Sequence, residues 1–244
     1  MSKTFVDLHL RLNVKDQATA SRVINKAAAL GYSLIAVPFS YKARKDGVVT
    51  LKAICSEAKI DFVSRLDLRP RTQNELMYLL RRLRRKFEVI CVNCENKEVA
   101  RQAAKDRRVD LLNFPSLDFR KRFFDRAEAE LASNSLAALE IDVKPLLVLE
   151  GPARIRFLSN LRREVAIAKE FHVQIVVSSG VTEAKLLRKP REMAALTFLF
   201  GLDEASALEA VAQAPVSIVK RNREKLSAKF VAPGIRVIKE GKDC

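Results

Sequence analysis

The sequence predicts a single-domain α/β protein, a TIM-like (β/α) barrel of seven or eight parallel strands. Apolar runs of strand length alternate with helical periodicity from end to end, as βα units around a parallel sheet require. Seven or eight such units fit within 244 residues, and a hydrophobic content of 48% is enough to bury a full core. The 7 Gly and 8 Pro are scattered singly and never gather into a linker. A doubly wound open sheet stays as the alternative, because periodicity does not distinguish a closed edge from an open one.

The first strand spans Phe5 to Leu10. A helix follows with Ala20, Val23, Ile24, Ala27 and Ala28 on one face, ending at Leu30-Gly31, where glycine suits a left-handed cap. Leu34 to Val37 is apolar throughout and reads as a strand buried on both faces. A basic loop from Tyr41 to Gly47 and a short helix near Leu51 to Ala58 lead to the third strand, Ile60 to Leu68. Thr72-Gln73-Asn74-Glu75 is a capping-box pattern, and it opens a helix whose Leu76, Leu79, Leu80 and Leu83 form a core stripe. Val89 to Val92 and Leu111-Leu112 are the next strands, with a helix around Val99 to Lys105 between them.

A helix from about Arg120 to Leu131, a strand at Leu139 to Val143 and a long helix entered at Pro152 continue the order. Gln174 to Val177 is the last clear strand, followed by Ser178-Ser179-Gly180 and by helices at Arg191 to Phe200 and Asp203 to Ala212. Val216 to Val219 fits either a final strand or a helical turn. The barrel domain is thus expected over residues 1–229, with a basic C-terminal tail over 230–244 that is expected to order on a partner.

Forty-five Lys and Arg against 29 Asp and Glu give a net charge of +16, an excess of one sign that attracts a polyanion, nucleic acid above all. No stretch approaches the ~18 uninterrupted apolar residues of a membrane span, and the N-terminus lacks the pattern of a signal peptide. Four cysteines without a secretion signal place the chain in a reducing cytoplasm.

Three strands alternate polar and apolar residues where a parallel strand is ordinarily apolar: Asp7 and His9, Arg65 and Asp67, Glu140 and Asp142. Converging in a barrel mouth, Asp7, His9, Asp67 and Asp142 would suit a metal-dependent phosphoesterase, but such centres use several imidazoles and only His9 and His172 exist. A buried salt-bridged cluster is the favoured reading, with no metal site and no catalytic residue expected in this chain. Cys91-Val92-Asn93-Cys94 is a single Cys-x-x-Cys at the end of an apolar strand, and buried inert thiols are expected there. Neither a nucleophile elbow nor a Gly-rich phosphate loop occurs. Ser178-Ser179-Gly180 reads equally as an ordinary turn or as a set of backbone N–H groups facing a phosphate.

The basic residues cluster at Lys42, Arg44 and Lys45; at Arg81 to Lys86; at Arg154, Arg156, Arg162 and Arg163; at Lys185 to Arg191; and at Lys220 to Lys225. With no Trp and 3 Tyr, base stacking is poorly served, which favours recognition of structured RNA by backbone and shape. The candidate RNA contacts are Lys42, Arg44, Arg81, Arg82, Arg85, Ser178, Ser179, Arg188, Arg191, Arg221 and Arg223. Arg188 and Arg191 beside Ser178 and Ser179 are expected to lead on one face of the barrel.

Several segments together resemble one family, the archaeal ribonuclease P protein component three, related to the thirty-kilodalton subunit of the eukaryotic nuclear enzyme. They are Phe5 to Arg11, Ala29 to Val37, Val176 to Gly180, Leu187 to Glu192, Leu199 to Leu202, Asn222-Arg223 and Pro233 to Val237. The likeness is strong at both ends and weak from about Lys42 to Lys169, and Glu192 stands where the family usually has Asp. The resemblance implies a barrel similar to the PHP and amidohydrolase barrels and membership of the ribonucleoprotein that removes the 5′ leader of precursor tRNA. It further implies that the RNA subunit is the catalyst of this endoribonuclease, using Mg2+. The implied partners are that RNA, the RRM-like component two in a heterotetramer, and precursor tRNA indirectly. Two other functions stay open beside this one: a PHP-type metal-dependent phosphoesterase, and a general basic RNA chaperone.

Overall fold

The computed structural model describes residues 4–13, 16–39, 45–232 and 235–236. Seven parallel strands form one sheet in sequential order: β1 (Val6–Asp7), β2 (Leu34–Phe39), β3 (Asp61–Leu68), β4 (Val89–Asn93), β5 (Leu111–Asn113), β6 (Ala138–Asp142) and β7 (Ile175–Ser178). Sequential order with a helical crossover after each strand curls the sheet into a ring. The ring is nearly closed: just past β1 and β7, the Gly180 N–H donates to the His9 carbonyl and the Arg11 N–H to that of Val181, both at 2.9 Å. Between these strands no ladder forms, and the Asp7 carboxylate accepts the Ser179 N–H at 3.0 Å in its place. The barrel, and not the open sheet, is the fold.

Helices α1 (Gln17–Ala29), α2 (Lys45–Glu57), α3 (Gln73–Leu83), α4 (Lys97–Lys105) and α5 (Arg126–Ser135) follow the first five strands, and α6 (Lys144–Val148) with α7 (Gly151–Glu170) follows the sixth. Asp16, Thr72, Asn96 and Asp125 each accept a first-turn N–H at the head of their helices. The box expected at Thr72 is made only half as drawn, since the Glu75 carboxylate reaches the Arg71 N–H. The helix expected from Arg120 is broken: a 3-10 turn at Phe119–Lys121 precedes α5, because Asp125 caps a fresh start on Glu128.

Past β7 come α8 (Pro190–Leu196), α9 (Glu204–Val211) and α10 (Gln213–Leu226). Val216 to Val219 lies inside α10, so among the described residues the parallel sheet has no eighth strand. The apolar run is explained by burial: Ala214, Ile218 and Val219 pack on Val6, Leu34, Val63, Val89, Leu111, Ala138 and Val176, which fill the lower barrel. Helix α10 therefore plugs the end where the strands begin. Beyond it, β8 (Phe230–Ala232) and β9 (Ile235–Arg236) pair as a short antiparallel hairpin, and the tail from 237 lies outside the described residues.

Candidate functional site

Above that apolar layer the inward positions turn polar: Arg65 and Asp67 on β3, Cys91 and Asn93 on β4, Asn113 on β5, Glu140 and Asp142 on β6 and Ser178 on β7. The side chain at the centre is Arg65, fully buried. Its Nη1 and Nη2 reach Glu140 Oε1 and Oε2 at 2.5 and 2.7 Å, its Nε reaches Asp67 Oδ1 at 2.6 Å, and Nη1 also donates to the Leu8 carbonyl at 2.6 Å. Ser178 Oγ, Asn113 Nδ2 and Cys91 Sγ add donors to Glu140 at 2.8, 3.0 and 3.5 Å. Burial opposes the Glu140 charge, but Arg65 outweighs it and holds the carboxyl down to about 2.

The chain bends at Leu8, and the His9 ring enters the same mouth. Its Nδ1 donates to Asp142 Oδ1 at 2.8 Å, while Nε2 lies 3.2 Å from Asp67 Oδ2, close enough for an ion pair but without hydrogen-bond alignment. Burial and the Arg65 charge both favour the neutral ring; Asp142 and Asp67 overcome them and raise the imidazole to about 10. The Asp7 carboxyl shifts opposite to that of Glu140: burial raises it and outweighs its hydrogen bonds from Ser179 and His9, and its Oδ2 has no hydrogen-bond partner.

His9, Glu140 and Asp142 offer ligand atoms within 4.8 Å of one another, the spacing a divalent ion would need. They do not fit one as they stand. Both Glu140 oxygens are occupied by a guanidinium, and a doubly protonated imidazole has no lone pair to donate. The Cys91 and Cys94 thiols are buried and pushed far up by burial, as inert cysteines are.

The opposite end of the barrel is positively charged. Two adjoining depressions of about 570 and 440 Å³ share Arg107, Lys225 and Phe230 as walls. Arg84 and Arg85 precede β4, Arg107 and Arg108 precede β5, and Arg221 and Lys225 come from α10. Asp110 sits 3.4 Å from both Arg84 and Arg221, and Asp106 holds Arg108 at 2.6 Å. None of the ion pairs among the described residues takes in Arg85, Arg107 or Lys225. Partial burial together with Arg221, Arg84 and Arg107 lowers the Lys225 ammonium, a sign of crowded positive charge.

A family model described as RNase P subunit p30 matches residues 4–227. The chain belongs to the RNase P subunit p30 family. Ribonuclease P protein component 3 of Methanosarcina barkeri is 31% identical over 238 residues, 97% of each chain. In fold, the chain is similar to one in a cryo-EM structure of archaeal ribonuclease P with mature tRNA, with a TM-score of 0.84 and 23% identity over 98% of this chain and 100% of that one. Organophosphorus hydrolase from Deinococcus radiodurans shares the barrel at a TM-score of 0.60 and 10% identity, covering 89% of this chain and 92% of its own.

For this RNase P subunit the expected contacts separate into distinct places. Ser178 and Ser179 are buried. The Ser178 hydroxyl is committed to Glu140, and the N–H groups of Ser179 and Gly180 to Asp7 and His9, so the turn presents none of them outward. Arg188 and Arg191 flank the C-terminal side of the barrel; Arg188 Nη1 is tied to the Lys185 and Leu187 carbonyls, and Arg191 is exposed. Arg223 is clamped by Asp61, Glu88 and the Phe62 carbonyl, which pins α10 to β3. Arg81, Arg82 and Arg85 are exposed at the end of α3 and in the 3-10 turn after it, next to the groove, where Arg221 lies too. Lys42 and Arg44 lie outside the described residues. Sequence reasoning missed Arg84, Arg107, Arg108 and Lys225 as one site. A signal existed, an Arg-Arg pair just ahead of each of two adjacent strands.

Proposed function

We propose that this ribonuclease P subunit acts by lending the basic end of its barrel to the phosphate backbone of the particle's RNA, and that the barrel mouth does no chemistry. The observation that carries this reading is the groove of Arg84, Arg85, Arg107, Arg108, Arg221 and Lys225, of which Arg85, Arg107 and Lys225 enter none of the ion pairs among the described residues. Cations held on a rigid frame exchange solvent counterions for phosphates on binding. Arg81 and Arg82 extend the surface along α3, and Arg191 with Arg188 forms a second, smaller one at the other end. Neutralising phosphates there would lower the Mg2+ that the catalytic RNA needs to fold and to remove the 5′ leader of precursor tRNA.

The protein partner we assign is the RRM-like component two, in a heterotetramer, on the strength of the family. A cytoplasmic location is supported by the free, buried thiols of Cys55, Cys91 and Cys94. No helix of the described residues is long and apolar enough to cross a membrane.

Titrating ribonuclease P RNA with the protein over a series of KCl concentrations tests the reading. Arg107→Ala with Lys225→Ala should flatten the slope of log K against log salt by about 1 to 2 and weaken binding alike for all sites on the RNA. An unchanged slope would remove the groove from the interface.

A further inference from the structure

We propose that the Arg65 guanidinium stands where a divalent cation would sit in this barrel, and that removing it opens a metal site built from His9, Glu140 and Asp142 with Asp67 beside them. The donors come from β6 and the extension of β1: ligand atoms of His9, Glu140 and Asp142 lie within 4.8 Å of one another, and Asp67 on β3 stands beside them with Oδ2 3.2 Å from His9 Nε2. Arg65 occupies that mouth, and its charge is matched by two of the acids a metal would use, Glu140 and Asp67, while Asp142 pairs with His9. The Oδ2 atom of Asp7 and the Nε2 atom of His9 are buried without a hydrogen-bond partner at the same mouth. Such a set, one imidazole and two or three carboxylates on rigid strands, suits Zn2+, Co2+ or Mn2+ better than Ca2+ or Mg2+.

The small cavity beside the cluster, about 110 Å³ between Asn113, Glu140, Asp142 and Gly180, gives an ion a way in from the C-terminal face. A neutral residue at position 65 would empty the centre and free both Glu140 oxygens from the guanidinium.

The test uses the full chain with Arg65→Met, purified in EDTA and titrated with Zn2+ or Mn2+ alone. The variant should melt well below the unchanged protein, bind close to one ion per chain and regain about 5 °C or more on loading, while the unchanged protein shifts by less than about 1 °C. Adding His9→Ala to Arg65→Met should abolish the gain. Where Arg65→Met aggregates without metal, refolding with and without Zn2+ reads the same property. Arg65→Gln, neutral but polar, provides a second variant. Variants that stay indifferent to every ion, or that fail to refold with it, overturn the proposal, as does stoichiometric metal binding by the unchanged protein.

Discussion

Across the barrel, from β3 to β6, Arg65 grips both carboxylate oxygens of Glu140 in a two-pronged ion pair sealed from solvent. A buried pair of this kind is costly to break from one side, because the remaining charge has nowhere to go. Glu140→Leu or Arg65→Met alone should therefore lose about 3 to 5 kcal/mol, and the double variant should recover at least half of that. Urea denaturation of the three variants measures it. Additive losses would show that the two residues do not act as a pair.

The same cluster makes stability depend on pH from both sides. His9 is raised from 6.5 to about 10, so its contribution is complete below pH 6.5 and drains away as pH climbs toward 10. Glu140 is held down from 4.5 to about 2, so its contribution is complete above pH 4.5 and is lost as pH falls toward 2. Urea midpoints should fall between pH 6.5 and 10, and His9→Gln should flatten that limb while leaving the acid limb in place. An alkaline limb equally steep in the variant would mean that His9 is neutral in the fold.

Gly180 joins the two ends of the ring at a positive φ of 64°, and a Cβ there would stand 2.8 Å from Asp142 Cγ and 2.9 Å from its Cβ. Gly180→Ala should thus cost about 2 kcal/mol or more, through left-handed backbone and contact with Asp142 together. A melting curve like that of the unchanged protein would contradict the closure described for β1 and β7.

Stability and RNA affinity should separate by residue. Arg223→Ala releases α10 from Asp61 and Glu88 and should lose about 1 to 3 kcal/mol. Ser178→Ala leaves a Glu140 oxygen one donor short and should lose about 1 kcal/mol. Neither should move RNA affinity more than about twofold, whereas Arg85→Glu should weaken it by about tenfold with stability unchanged. Binding and unfolding measured on the same preparations give the comparison.

Much of the barrel was legible from the alternation of apolar runs and helical faces, and so was the polar mouth, because Arg65/Asp67 and Glu140/Asp142 break the apolar rule of parallel strands in matching positions. Asn113 escaped notice because β5 is only three residues long, too short to show alternation. Val216 to Val219 stayed ambiguous because a helix buried end-on against a barrel is as apolar as a strand, and burial overrides β-branched propensity. The turn Ser178-Ser179-Gly180 read equally as an ordinary turn or a phosphate cradle, since nothing local reveals that Asp7, 172 positions from Ser179, takes the Ser179 N–H. The groove was hidden for the same reason, being assembled from αβ turns and α10, which meet only in three dimensions.

The most direct measurement is single-turnover cleavage of precursor tRNA by particles rebuilt from ribonuclease P RNA, the other protein components and this chain, at limiting Mg2+. With Arg107→Glu and Lys225→Glu together the rate should fall by about tenfold or more and recover as Mg2+ is raised, while Asp142→Asn in the mouth should cleave at close to the unchanged rate. Full activity with the reversed groove, or loss of cleavage with Asp142→Asn in a particle that assembles normally, would contradict the account.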